Sequence, residues 1–246
     1  MLDNLLKNFY TTERRGVFLS DHGGAFGFDI HKALEVEYCI TSYDCDCIVE
    51  TGTNAGDTTE YLAKQYPSKQ IISCETNPEI FKYAKERLKS FKNIVLLNES
   101  SETIVQRYSK EFERPFFFLD AHWENYWPIN DELRNIERGV ICVDDFFIGG
   151  ISVKYPGREK ITYCNDGYHN GSKLIELDAK LILDTIIPST EIYINNCENL
   201  ENYEFPSHQT IRRSGRAYFC KNIYEDKFKE KNYFALEKQF SNKWKT

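Results

Sequence analysis

Five short apolar runs recur through the middle of the chain, separated by four stretches with helical spacing. This alternation restricts the fold more than any other feature. The runs are Cys47–Glu50 (CIVE), Gln70–Cys74 (QIISC), Asn93–Leu97 (NIVLL), Pro115–Leu119 (PFFFL) and Gly139–Val143 (GVICV). They are continuous rather than alternating apolar and polar, which is the pattern of strands covered on both faces. Between them, Asp57–Tyr66, Pro78–Phe91, Glu102–Phe112 and Pro128–Ile136 read as helices. In the second of these, Ile80, Phe81, Ala84 and Leu88 fall on one face, and Pro78 suits the first turn. Strand–helix alternation of this kind predicts an α/β fold, a doubly wound, mostly parallel sheet, expected here with seven strands. Ligands of such sheets bind beyond the carboxyl ends of the strands. The residues that follow each run therefore carry the functional argument.

The flanking segments are less regular. Residues 1–45 read as a largely helical N-terminal or lid segment interrupted at Gly23-Gly24, with Asp21-His22 beside the break. Residues 46–221 form the expected central domain and 222–246 a basic tail, helical in part, that carries Lys227, Lys229, Lys231, Lys238, Lys243 and Lys245. Phe146–Ser172 reads as a long loop, Lys173–Ile186 as a helix, and Glu191–Ile194 and Arg216–Cys220 as the last two strands. A chain of 246 residues suits one such domain with a full core. Its net charge of −7 argues against broad binding of nucleic-acid phosphates. No apolar run reaches membrane-spanning length and no signal-peptide core is visible, so the expected setting is cytoplasmic. The eight scattered cysteines fit reduced thiols rather than a disulfide framework. A homo-oligomer remains open.

The first strand runs into Glu50-Thr51-Gly52-Thr53-Asn54-Ala55-Gly56, with Thr58 in the first turn of the next helix. Glycines at this turn let the backbone bend sharply and come close to a ligand, and the helix start offers free N–H groups. The second strand ends at Glu75, 25 positions after Glu50, where a carboxylate can accept both hydroxyls of a ribose. The fourth strand ends in Asp120-Ala121-His122-Trp123 and the fifth in Asp144-Asp145. Three carboxylates converging over one sheet need a counter-cation, and hard oxygen ligands suit Mg²⁺ or a similar ion. The alternative is that Asp120 only closes a cofactor pocket while Asp144 and Asp145 cap a helix or face water.

The E-x-G-x-x-x-G turn, with an acid ending the second strand, resembles the class I methyltransferases that use S-adenosylmethionine (SAM). The resemblance covers about Asp46 to Phe146. It implies a cofactor site of Glu50, Thr51, Gly52, Asn54, Gly56, Thr58, Glu75, Ser101 and Asp120. Glu50 would anchor the amino-acid end, Glu75 the ribose, and Glu99-Ser100-Ser101 would flank the adenine. The aspartates resemble those of metal-dependent O-methyltransferases, of the macrocin sugar type and, more distantly, the catechol type. That likeness implies Asp120, Asp144 and Asp145 as metal ligands. The chain departs from the catechol type at Ala121, inserted between Asp120 and His122, and has Glu124 and Asn125 where a lysine base is expected.

Methyl transfer from a sulfonium is an in-line displacement whose leaving group is already good, so the protein mainly orients the nucleophile. A hydroxyl nucleophile must lose its proton, and His122, Asp120 and Asp145 are the candidate catalytic residues. Trp123, Tyr126, Trp127 and Phe147 can stack on a sugar or ring, or simply pack. Tyr155, Tyr163, Tyr168 and His169 lie in the long loop, a common place for a substrate lid. The expected activity is SAM-dependent O-methylation of a small hydroxylated molecule, a sugar, glycan residue or aromatic, assisted by a divalent metal. The alternatives are a metal-independent methyltransferase and a non-catalytic SAM-binding regulator. A nucleic-acid base methyltransferase is disfavoured because the fourth strand ends in Asp-Ala-His-Trp rather than in Asn-Pro-Pro-Tyr or Asp-Pro-Pro-Tyr.

Overall fold

The computed structural model describes residues 2–14, 23–122, 127–148, 152–155, 158–164, 167–170, 173–176, 185, 191–196, 200–207 and 212–237, with backbone alone for 152–176 and 212–213. All five expected strands form: β1 (Cys47–Thr51), β2 (Gln70–Cys74), β3 (Ile94–Leu97), β4 (Pro115–Leu119) and β5 (Gly139–Val143). They pair in parallel in the order β3-β2-β1-β4-β5. The chain therefore leaves β1 toward one edge and returns toward the other, which opens a crevice between the ends of β1 and β4. Both faces are covered. The successive residues Phe116, Phe117 and Phe118 point to opposite sides and all are buried, as a continuous apolar run requires.

The helices α3 (Asp57–Gln65), α4 (Pro78–Leu88), α5 (Ser101–Glu111) and α6 (Ile129–Asn135) follow β1 to β4. Asn77 caps α4 by accepting from the N–H groups of Glu79 and Ile80, and Pro78 occupies the first turn. The N-terminal segment supplies α1 (Leu2–Thr11), a 3-10 turn at Ala25–Phe28 and α2 (Ile30–Ser42). Asp29 caps α2 through the His31 N–H.

The sheet has eight strands, not seven. Beyond β5 come β12 (Ala217–Lys221), β10 (Tyr193–Asn195) and β13 (Phe234–Leu236), each antiparallel to its neighbour. The extra strand comes from the tail expected to be partly helical. Phe228, Tyr233 and Phe234 are buried there, so packing of aromatic side chains overrides the solvated-face reading of the lysines. The expected division before residue 222 thus falls within the sheet. Lys238, Lys243 and Lys245 lie outside the described residues.

The region after β5 also differs. The expected loop contains β6 (Ser152–Tyr155), β7 (Arg158–Cys164) and β8 (Gly167–Asn170), and the expected helix begins as β9 (Lys173–Glu176). β6 and β7 join β11 (Arg212–Ser214) in a small sheet, while β8 and β9 form a hairpin with Asn170 opposite Lys173. The two residues between the strands in sequence, Gly171-Ser172, are a hairpin signal. Residues 177–184 lie outside the described ones. Among the described residues no helix is long and apolar enough to cross a membrane, and the six cysteines whose side chains are described are free thiols.

Replacing Asn77 by Ala removes the α4 cap. The expected cost is about 1 kcal/mol, or a fall in melting temperature of roughly 2–4 °C measured by calorimetry.

Candidate active site

Two adjoining cavities open over the carboxyl ends of β1, β2 and β4. The larger, about 440 Å³, is lined by Gly52, Asn54, Glu75, Ser101, Asp120 and His122, among others. The smaller, about 100 Å³, lies against Gly24, Gly27, Glu50, Asn54 and Thr58. They meet at Gly52, Asn54 and Asp120.

The turn after β1 has the conformation its glycines allow. Gly52 and Gly56 have φ of 83° and 84°, and Asn54 also lies in the left-handed region at 49°. A Cβ on Gly52 would stand 3.0 Å from the Asp120 carbonyl oxygen and 3.1 Å from the Ala121 Cα. The two strand ends can therefore pass only because Gly52 has no side chain. Glu75 accepts the N–H groups of Asn54 at 3.0 Å and Asn77 at 2.9 Å, one on each oxygen. Each oxygen keeps a second lone pair for a hydroxyl. Ser101 lines the larger cavity beside Ser100 and Glu102, while Glu99 turns away to Arg107.

Two expected cofactor residues also hold the strand ends together. Thr51 is fully buried, and its hydroxyl oxygen accepts the N–H groups of Asp120 at 3.2 Å and Ala121 at 3.3 Å. Glu50 is also buried and accepts from the hydroxyls of Thr59 and Ser73, the latter at 2.7 Å. Its carboxylate ties the start of α3 to β2. Burial pushes its pKa up to about 7 despite those two hydrogen bonds. Thr58 lines the smaller cavity and accepts the Phe26 N–H at 3.0 Å. Gly24 N–H donates to Asp57 at 2.7 Å, and Arg87 binds Asp57 and Glu60, so the N-terminal segment is fastened over the β1 turn.

The acidic residues separate into two groups. Asp145 has φ of 54°, and this left-handed turn directs consecutive carboxylates to different sides. Asp144 points into the core, where it pairs with the Lys32 ammonium, and both residues are only 5% exposed. This corrects the expected ligand set. Among the described residues, the ligand atoms that converge, all within 4.8 Å of one another, belong to Asp120, His122 and Asp145. His122 Nε2 lies 3.4 Å from Asp145 Oδ2, and its ring is 5.2 Å from that of Trp127. Two carboxylates with an imidazole suit an ion such as Mn²⁺, Fe²⁺ or Zn²⁺ better than Mg²⁺.

The counter-cation inferred from the clustered aspartates is partly built in. Burial pulls the pKa of Lys32 down, but Asp144, with Asp120 and Asp145, more than offsets this and raises it. Burial and then the charges of Asp144 and Asp145 hold the Asp120 carboxyl well above its usual range. Burial opposes ionisation of Asp145, yet the His122 hydrogen bond and Lys32 outweigh it and lower that group to about 2. Neighbouring carboxyls pushed apart in this way divide into a proton holder and a charged partner. Lys32 was not anticipated. It lies on α2, and only the tertiary fold buries it. Arg216 is buried likewise, binding Glu35 at 2.6 and 2.8 Å and Asp29 at 3.3 Å, which steadies the helix that carries Lys32. Trp123, Glu124, Asn125, Tyr126, Asp21 and His22 lie outside the described residues, as do the side chains of Tyr155, Tyr163, Tyr168 and His169.

No protein-family model matches the chain. Part of it is similar to ribosomal RNA small subunit methyltransferase A of Caldanaerobacter subterraneus subsp. tengcongensis, with 43% identity over 54 residues, 22% of this chain and 19% of that protein. Another match is ribosomal RNA small subunit methyltransferase H of Campylobacter jejuni, 27% identical over 107 residues, 43% of this chain and 31% of the relative. The chain thus spans a third or less of the curated relatives it matches. Among solved structures, an S-adenosylhomocysteine (SAH)-bound methyltransferase from Podospora anserina, PaMTH1, superposes with a TM-score of 0.41 at 18% identity, over 61% of this chain and 64% of that one.

Two predictions follow from the charges. Lys32→Met leaves Asp144 buried without its cation, and chemical denaturation should show a loss of about 3–5 kcal/mol. Much of that loss should be recovered in Lys32→Met/Asp144→Leu. Glu50 has a folded pKa above its unfolded value of about 4.3, so its contribution is full below pH ~4.3 and is lost as pH rises through ~7. Stability should therefore fall more steeply between pH ~4.3 and 7 in the wild type than in Glu50→Gln, by roughly 3 kcal/mol in total.

Proposed function

We propose that the protein is a SAM-dependent methyltransferase that methylates a hydroxyl of a small molecule, a sugar or an aromatic. The observation that carries this reading is that Asp120 stands where the two cavities meet, with His122 lining the larger one and Asp145 3.4 Å from its Nε2. The larger cavity suits an adenosine, with Glu75 accepting the ribose hydroxyls and Ser101 beside the base. The smaller suits the amino-acid end, at the free N–H groups where α3 begins. A sulfonium between them lies over Gly52 and faces the acidic cluster. The partial matches to curated methyltransferases support methyl transfer.

SAM supplies a methyl group on a positively charged sulfur, so the chain's own residues have to orient the acceptor and remove its proton. Asp145 is ionised and lies beside His122, which it orients and whose protonated form it stabilises. His122 takes the hydroxyl proton as the acceptor attacks. Asp120, kept protonated, donates a hydrogen bond to an acceptor oxygen.

A second reading rests on the convergence of Asp120, His122 and Asp145. These three would hold a divalent ion, which when bound lowers the pKa of a hydroxyl attached to it. RNA is the acceptor of the curated relatives by name, but the net charge of −7 supports a small acceptor here.

Release of SAH can be assayed with sugars, catechols and a ribosomal RNA fragment, with and without EDTA. A sugar or catechol is expected to turn over, and EDTA is expected to leave that turnover unchanged. Loss of activity with EDTA and rescue by Mn²⁺ would favour the metal reading, and turnover of the RNA alone would replace the acceptor class. His122→Ala and Asp145→Asn should each lower turnover by about 100-fold or more while SAH affinity, measured by calorimetry, stays within about threefold.

A further inference from the structure

Gly24 and Gly27 of the N-terminal segment line the smaller cavity together with Gly52, Asn54, Asp57 and Thr58 of the β1 turn and α3. The main chain of this segment is strained. Phe26, Gly27 and Phe28 lie in succession in the left-handed region, with φ of 53°, 62° and 65°. Phenylalanine adopts that region only where its surroundings hold it there. Phe26 is buried against Tyr61 and Phe118, with ring centres 5.5 and 5.2 Å away, and Phe28 stacks on Phe9. The polar restraints come from α3. The Gly24 N–H donates to Asp57 Oδ2 at 2.7 Å and the Phe26 N–H to the Thr58 hydroxyl at 3.0 Å.

Asp57 is itself held by Arg87 of α4. The guanidinium donates to Asp57 Oδ1, to the Ala55 carbonyl at 3.0 Å and to Glu60 Oε2 at 2.8 and 3.1 Å. It also donates to the Glu13 carbonyl at 2.9 Å. One side chain thus joins the β1 turn, the start of α3 and the N-terminal segment. The side chains of Arg87, Asp57 and Glu60 are only 8–9% exposed, so solvent screens these bonds little. Arg87 does not line the cavity and acts on it through Asp57.

We infer that Arg87 is a positioning residue that makes the smaller cavity selective for ligands with an amino-acid end. It orients Asp57, and Asp57 holds the strained Gly24–Phe28 segment as a wall over that end. A zwitterion binds its hydrogen-bond partners more strongly where such a wall keeps water away. This inference rests on the cofactor reading above. In that reading the adenosine lies in the larger cavity, which neither Arg87 nor Asp57 lines. A ligand that stops at the thioether should therefore be indifferent to both residues.

The probes are SAH and methylthioadenosine, which has the adenosine and the thioether of SAH but lacks its amino-acid end. Each is titrated calorimetrically into the wild type and into Arg87→Met. The wild type should bind SAH at least about 10-fold more tightly than methylthioadenosine. Arg87→Met should weaken SAH by about 10-fold or more and methylthioadenosine by less than about threefold. A general loss of packing weakens both ligands alike, and that result overturns the proposal, as does unchanged SAH affinity. If Arg87→Met does not fold, Asp57→Ala releases the same wall while leaving Arg87 on Glu60. The selective loss of SAH affinity is expected there too, and its absence contradicts the proposal. A wild type that does not bind SAH overturns the cofactor reading itself. A wild type whose preference for SAH survives in these variants overturns only the role of Arg87.

Discussion

The candidate site depends on how closely the ends of β1 and β4 approach each other. Gly52, in the left-handed region, passes within contact of the Asp120 carbonyl and the Ala121 Cα, and any side chain there would push the two turns apart. The parallel pairing of β1 with β4 sets this meeting point, because the chain reverses its direction of winding between them. The Thr51 hydroxyl then fastens the β4 turn to β1 by accepting two of its N–H groups. One close contact thus sets both the floor of the cofactor cleft and the direction in which Asp120 and His122 project.

Charge organises what that contact brings together. Three aspartates near one another repel, and the fold reduces the repulsion in two ways. The left-handed turn at Asp145 sends Asp144 inward to Lys32 and leaves Asp145 to His122. Burial and neighbouring charge then raise the pKa of Asp120, while the His122 hydrogen bond and Lys32 lower that of Asp145. A site with a proton holder, a charged partner and an imidazole can remove a proton without needing another cation, though the same three side chains also suit one.

The central strands and the glycine turn were legible in the sequence because local rules govern them. Continuous apolar runs such as PFFFL report burial on both faces, and Gly52, Gly56 and Glu75 sit where the strand ends require them. Lys32 and Arg216 were not legible. Each is a polar residue on an ordinary helix or strand end whose partners lie far away in sequence, as with Lys32 and Asp144. The β8–β9 hairpin was missed because Lys173–Ile186 was read as a helix although Gly171-Ser172, a two-residue hairpin signal, preceded it. The tail strand β13 depends on aromatic packing against Phe228 and Tyr218, which no short window of sequence shows.

The central claim is that SAM lies across the two cavities with its sulfur over Gly52. A crystal structure of the complex with SAH tests it most directly. The account predicts ribose hydroxyls within hydrogen-bond distance of Glu75, the amino-acid end between Gly24 and Thr58, and the sulfur facing Asp120 and His122. SAH bound outside these cavities, or with its ribose away from Glu75, would contradict it.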